Sequence, residues 1–460
     1  MKYKILIYLF VLVILGACKP EMEEFNASNG TADFTRYAGM GDSYASGFSD
    51  GALYQQAQEN SYANILASKF AAVGGTAFKQ PILTTPSDIG VGFQPTPQGF
   101  FFTSKYVLGY KQDCLGATSL APVLDDPNAS QGDLYGYLTT PVAGQGPFNN
   151  TGVPGVKIAH MLFPGLALAN PYFGRFSANP QTDVLLEVGL AVNPTFYTLW
   201  IGTYDVLGYA LSGGAGDVIT EQPVFQQSIN AITDAISATD ASGAIANIPN
   251  IKDIPFFTTI PIYGLQLTQD LADQLNQAYA PYNQGAQAVG APEMVFQAGY
   301  NKFVIADTNA PYNLIGGLRQ ITDGEYLLMS VPQDSLKCAG WGSQKPIPGQ
   351  YTLISPEVEH INNATIGFNA AIETAAFGTK TTLVDINSAF SSLSAHGFTI
   401  DGVTLTNEFV KGNVFALDGI HLTGQGNAWV AHLFINQINE LFNAQIPQVN
   451  ITDYPSVTYP

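Results

Sequence analysis

Two short segments at opposite ends of the chain hold the residue types that acyl-transfer chemistry needs. The first is Gly39-Met40-Gly41-Asp42-Ser43-Tyr44-Ala45-Ser46-Gly47, an apolar run that ends in a glycine-flanked turn presenting a serine. A nucleophilic hydroxyl must stand clear of the backbone at the carboxyl end of a strand. A helix that follows can lend its amino-terminal dipole to negative charge developing there. Alone this segment says little, because Gly, Asp and Ser all favour plain turns. The second segment is Phe415-Ala416-Leu417-Asp418-Gly419-Ile420-His421-Leu422-Thr423. An Asp three residues before a His, just ahead of a helix, can hold the imidazole in one tautomer. His421 can then take a proton from Ser43 and return it to a leaving alcohol, while Asp418 stabilises the imidazolium. A neutral serine is a weak nucleophile, and this pair supplies the base it lacks.

Between the two lies Val153-Pro154-Gly155-Val156. A glycine there can offer a backbone N–H to an oxyanion with no side chain in the way. The other histidines, His160, His360, His396 and His432, have no partner at ligand spacing and read as satisfied core or surface residues. No zinc spacing, phosphate loop or dinucleotide fingerprint is present, so no cofactor and no metal is expected. Cys114 and Cys338 either pair or stay as two buried thiols, since the sequence carries no distance between them.

The elements that must position these residues alternate in type. Strands are expected at Phe34 to Met40, Phe196 to Ile201, Ala244 to Ile248, Phe303 to Ala306 and Thr382 to Ile386. Helices are expected at Ser61 to Ala72, Val224 to Ala238, Gln266 to Ala280, Pro356 to Ala376 with Ser355 as N-cap, and Gly424 to Leu441 capped by Thr423. Such alternation predicts an α/β fold, a central parallel sheet with helices on both faces. Gln80 to Asn150 and Asn301 to Gln350 are rich in loop residues and read as insertions around the site's mouth.

In this order, a strand leading to Gly-Asp-Ser, an internal Gly block, a Gly-x-x-Asp block after a strand and a late Asp-x-x-His resemble the SGNH (GDSL-type) hydrolases. The resemblance is anchored from about Phe34 to Leu441. It implies a three-layer α/β/α, flavodoxin-like hydrolase fold, with Ser43 as nucleophile and Asp418 and His421 completing the triad. It also implies oxyanion donors at the backbone N–H groups of Ser43 and Gly155. One block departs. In Leu199-Trp200-Ile201-Gly202-Thr203-Tyr204-Asp205-Val206, Tyr204 stands where the family has an Asn that donates to the oxyanion. A Tyr hydroxyl can donate too, so Tyr204 is either a third donor or a packing residue. Thr203 is a further candidate donor, and Asp205 reads as structural. Losing one such donor costs roughly 3–4 kcal/mol of barrier. A weak or inactive SGNH domain that binds glycan or lipid is therefore the competing expectation. A purely structural surface lipoprotein is a third, and it leaves the ordered blocks without explanation.

The amino terminus reads as an address. Lys2 and Lys4 precede an apolar run, Ile5 to Leu15, that is too short to span a bilayer. Leu15-Gly16-Ala17-Cys18 resembles a lipobox, which implies a leader over residues 1–17 and a lipidated Cys18 tying the chain to a membrane. The other reading is an ordinary cleaved leader that contains a Cys. The acidic stretch after Lys19 resembles a surface-export signal of Bacteroidetes lipoproteins, or is a solvated tether. The expected organisation is thus a tether over 18–33, one hydrolase domain over 34–445 and a tail over 446–460. The expected location is the cell envelope, as an outer-membrane lipoprotein facing the periplasm or the surface. Net charge −19 argues against nucleic acid as a partner, while 46% hydrophobic residues against 12% charged ones provide for a large core. The expected partner in solution is an ester, an acyl lipid or an acylated glycan.

Overall fold

Four short apolar runs make the central sheet. Tyr37–Gly41 (β1), Phe196–Trp200 (β2), Ser242–Ala246 (β3) and Thr381–Val384 (β4) pair in parallel in that order. β1 and β2 are buried at every residue. That explains why they read as continuous apolar runs and not as alternating ones. The computed structural model describes residues 25–96, 99–309, 312–377 and 380–460. The leader over 1–17 and Cys18 lie outside the described residues.

Residues 149–153 extend the sheet beyond β1. Gly39 N–H donates to Asn149 O (2.7 Å), and Thr151 and Val153 N–H donate to Gly39 O (2.9 Å) and Gly41 O (3.1 Å). This edge segment also runs parallel to β1. The chain therefore moves outward from β1 to the edge, then crosses back to β2 on the other side. The carboxyl end of β1 is thus a topological switch point, where the connections diverge and leave a crevice.

Helices cover both faces. Phe196 packs against Phe70 of Tyr62–Phe70 (5.5 Å between ring centroids) and Phe442 of Gly424–Phe442 (5.6 Å). On the other face Gly189 of Leu185–Leu190 lies against Met40. The helix Ser355–Ala376 packs on β3, β4 and Gln222–Ser237. The cap expected at Thr423 forms, accepting from Gly426 N–H (3.0 Å), and Ser61, expected as the first helical residue, is instead the N-cap of Tyr62–Phe70, accepting from Asn64 N–H (3.3 Å).

Several local expectations are corrected. β1 begins at Tyr37 because Phe34 packs into the core beside Phe70 (4.4 Å) and Phe196 (4.7 Å) instead of pairing. Ser355 lies inside its helix, with Ile354 at the N-cap. Buried Glu325 draws in Ser355, accepting from its N–H (2.9 Å) and its hydroxyl (3.1 Å). Val304–Ala306 is a strand, but it pairs antiparallel with Leu318–Gln320 outside the central sheet. The run from Gln266 divides into Gln269–Ala278 and Ala280–Val289, where Pro281 can only sit near a helix start.

The insertions have structure of their own. The first carries two antiparallel pairs, Gly92–Thr96 with Gly99–Thr103 and Tyr106–Gln112 with Thr118–Leu124. Cys114 on the first insertion is disulfide-bonded to Cys338 on the second, beside an ion pair between Asp113 and Lys337 (2.9 Å). The flanking segments expected as tether and tail also fold onto the domain. Ser28 bridges to Gln445, Ala32 is buried, and Ile446, Val449 and Ile451 are buried. Among the described residues no helix is long and apolar enough to cross a membrane.

Candidate active site

The end of β1 is shaped by a backbone that tolerates no side chain. Gly41 adopts φ +145°, and a Cβ there would come within 2.0 Å of Trp200 O. β1 can therefore lie tight against β2, and Asp42 N–H donates to Trp200 O (3.0 Å). Asp42 then caps the short helix Ser43–Ser46, its carboxylate accepting from Tyr44 N–H (3.1 Å). Ser43 is the first residue of this helix, where a backbone N–H has no partner within the helix. With only four residues, the helix contributes little dipole beyond those end groups.

The other half of the site is a tight loop closed by Ala416 N–H to His421 O (2.8 Å) and Gly419 N–H to Ala416 O (2.9 Å). One oxygen of Asp418 accepts from the N–H of Ile420 (2.9 Å) and of His421 (2.8 Å). The other lies 2.8 Å from His421 Nδ1 and accepts from Gly51 N–H (2.9 Å). With an ionised carboxylate as partner, Nδ1 carries the proton and Nε2 is left as an acceptor. Burial pushes the Asp418 carboxyl up, but the charge of His421 and these hydrogen bonds hold it below its ordinary value.

Several contacts lock the two halves together. Gly51 N–H reaches the Asp418 side chain, while Leu417 N–H reaches the Asp50 side chain (2.8 Å). Tyr44 stacks on Trp200 (4.4 Å) and its hydroxyl donates to Ile420 O (3.0 Å). The His421 ring is lodged 5.4 Å from the Tyr44 ring and 4.8 Å from the Phe48 ring. Ser43 Oγ and His421 Nε2 are both buried, and neither has a hydrogen-bond partner among the described residues. No hydrogen bond joins them in this resting geometry. Such bonds are commonly long before substrate arrives.

A cavity of about 530 Å³ opens beside this region, lined by Phe48, Gly155 and Tyr204 among others. Gly155, two residues past the edge segment, adopts φ +76°, and the space where a Cβ would stand is open. Asp205 holds this turn in place, since its carboxylate accepts from Ile158 N–H (2.8 Å). That matches the structural role expected of it. Tyr204 begins the helix Tyr204–Leu211 just past β2. Burial, with the nearby charges of Asp42, Asp418 and Asp217, pushes its phenol well above the ordinary range, so it stays a proton donor. Thr203 Oγ is buried and has no hydrogen-bond partner among the described residues.

The structure thus brings Ser43, Asp418, His421, Gly155 and Tyr204 to one end of the sheet, from segments far apart in the chain. Sequence reasoning missed the parts that hold them, Asp50, Gly51 and Tyr44, and it set aside His160, which lines the cavity. Among the described residues no group of three or more His, Cys, Asp or Glu side chains is placed to hold a metal ion. No family model matches the chain, and no curated protein matches it.

Asp42 gives the site a pH signature. Burial pushes its carboxyl up to about 7, and nearby Asp205 adds to the shift. Thr203 lies close enough to oppose it, although no hydrogen bond of normal geometry joins the two. Unfolded, this group titrates near about 3.9. Between those values the folded state holds a proton that the unfolded state has released, so stability falls as pH rises across that window. Asp205, pushed up to about 6 chiefly by burial, acts in the same direction. Thermal melts from about pH 4 to about pH 7.5 should show a steeper loss in wild type than in Asp42→Asn, which keeps the acceptor for Tyr44 N–H. Parallel curves for the two proteins contradict this.

Proposed function

We propose that the chain is a serine ester hydrolase of the SGNH (GDSL-type) kind, acting through an acyl-serine intermediate. One observation carries the reading: a buried Asp418–His421 pair (2.8 Å) leaves Nε2 without a partner among the described residues, its ring beside Tyr44 of the turn that presents a Ser43 hydroxyl equally without one. The arrangement of edge segment, β1, β2, β3 and β4 supports the finer fold reading, since it corresponds to the flavodoxin-like order with its crevice at β1. In the proposed reaction Ser43 Oγ attacks the ester carbonyl as His421 Nε2 takes its proton. The N–H groups of Ser43 and Gly155 hold the oxyanion, with Tyr204 as a third donor. His421 then protonates the leaving alcohol and activates the water that releases the acid.

On the same footing we propose an envelope lipoprotein, lipidated at Cys18 and held at the outer membrane. The supporting feature is the sequence pattern of residues 1–18. An activity-based fluorophosphonate probe tests the enzymatic reading. Labelling that maps to Ser43 supports it, and folded protein that stays unlabelled sinks it.

Tyr204 favours a second reading, a feeble hydrolase that binds a surface glycan or lipid. A chain-length series of nitrophenyl esters on wild type, Tyr204→Phe and Tyr204→Asn separates the two. If Tyr204 donates to the oxyanion, Tyr204→Phe lowers kcat by roughly 10²-fold with little change in KM. Unchanged or higher activity in Tyr204→Phe, or a gain in Tyr204→Asn, assigns Tyr204 to packing.

A further inference from the structure

The cavity beside the site has largely apolar and aromatic walls, with a polar pair among them. Phe48, Phe93 and Tyr172 line it, with Phe93 and Tyr172 5.3 Å apart and Phe48 edge-on to Tyr172 (6.1 Å). Such walls favour a flat ring, by offset and edge-to-face contacts. His160 and Asp217 also line it. Lys157 N–H donates to His160 Nδ1 (3.1 Å), so the ring proton sits on Nε2 and that nitrogen is a donor. One oxygen of Asp217 is occupied by Lys157 Nζ (2.8 Å) and Val218 N–H (2.7 Å), while the other rests against the bare backbone of Gly208 and has no hydrogen-bond partner among the described residues. The two side chains are near enough for their charges to interact. A donor side chain and an acceptor side chain lining one cavity are complementary to a hydroxyl, which both accepts and donates.

Resting on the hydrolase reading of Ser43, we infer that this cavity takes an aromatic acyl group whose ring hydroxyl is held between His160 Nε2 and the free oxygen of Asp217. The cavity serves the acyl side of the ester and not the alcohol side. Gly155, the oxyanion donor of that reading, lines it, and neither Ser43 nor His421 does. Burial lowers the His160 pKa, as does the charge of Lys157, which keeps the ring neutral and its tautomer set. The volume of about 530 Å³ lies within the range of small-molecule sites.

Calorimetry on Ser43→Ala protein, with 4-hydroxycinnamic acid and cinnamic acid as probes, tests the cavity without needing turnover. The hydroxylated acid should bind about tenfold more tightly or better, as two added hydrogen bonds allow. The preference should shrink to within about twofold when His160→Leu or Asp217→Ala is added, while cinnamic acid binding holds. Two substitutions on different segments, each checked by thermal melting, guard against one misfolded variant. Equal binding of the two acids, binding of neither, or a preference that survives both substitutions overturns the inference. Fluorophosphonate labelling of wild-type Ser43 is read in parallel. Labelling without the hydroxyl preference removes this inference alone. The preference without labelling removes the hydrolase reading and leaves a binding site for hydroxylated aromatic acids.

Discussion

Ser43→Ala is expected to lower ester hydrolysis by roughly a million-fold in kcat while leaving the fold intact. The size follows from covalent catalysis: without the hydroxyl there is no acyl-enzyme, and the remaining groups only bind and polarise the ester. The structure adds a second, independent expectation. Ser43 Oγ is buried and makes no hydrogen bond among the described residues, so the substitution breaks no partner and leaves no orphan. Thermal stability should stay within about 0.5 kcal/mol of wild type, or rise. Nitrophenyl ester turnover and a thermal melt on the same preparation check both. Full activity in a folded Ser43→Ala protein ends the hydrolase reading.

Asp418→Asn should have a smaller though still large effect on rate and a larger one on stability. The amide cannot hold a proton on His421 Nδ1 as the carboxylate does, and loss of the correct tautomer costs about 10⁴-fold in kcat in a triad of this kind. Stability suffers because one Asp418 oxygen serves both His421 Nδ1 and Gly51 N–H. An Asn that turns its NH₂ toward them sets donor against donor, and a buried unsatisfied group costs about 1–3 kcal/mol. The pH dependence has the opposite sign to that of Asp42. The Asp418 carboxyl is held below its ordinary value, against the pull of burial, by the charge of His421 and its hydrogen bonds with the His421 ring and the N–H groups of Ile420 and His421. It therefore adds stability that is fully present above the unfolded value of about 3.9 and is lost as pH falls through the lower folded value. Denaturant melts at about pH 7 and about pH 3 should show the wild-type advantage over Asp418→Asn shrinking in acid. An advantage that is equal at both pH values argues against ionised Asp418 as the partner of His421.

Much of the site was legible from the chain alone because its parts are local. The three-residue spacing of Asp418 and His421 lets one tight loop make the pair, with the carboxylate also gripping two of that loop's own N–H groups. The caps at Ser61 and Thr423, the continuous apolar runs of β1 and β2, and the glycine that ends β1 are likewise short-range consequences of residue type. Strand limits were less legible. Phe34 has the same apolar character as the residues that pair, and only its packing on Phe70 and Phe196 sets it apart.

The residue types and their short spacings determined the chemistry on offer: a hydroxyl in a turn, an oriented imidazole, a bare backbone N–H and a cation-poor acidic surface. Tertiary structure alone decided which of these meet. The pairing of Cys114 with Cys338, the exchange of hydrogen bonds between Asp50–Gly51 and Leu417–Asp418, and the cavity that gathers His160 and Asp217 beside Gly155 each join residues far apart in the chain. Closing such long loops costs entropy that grows only slowly with length, so sequence separation hardly discriminates one distant partner from another. The choice falls to the packing of the whole core, which no local pattern contains.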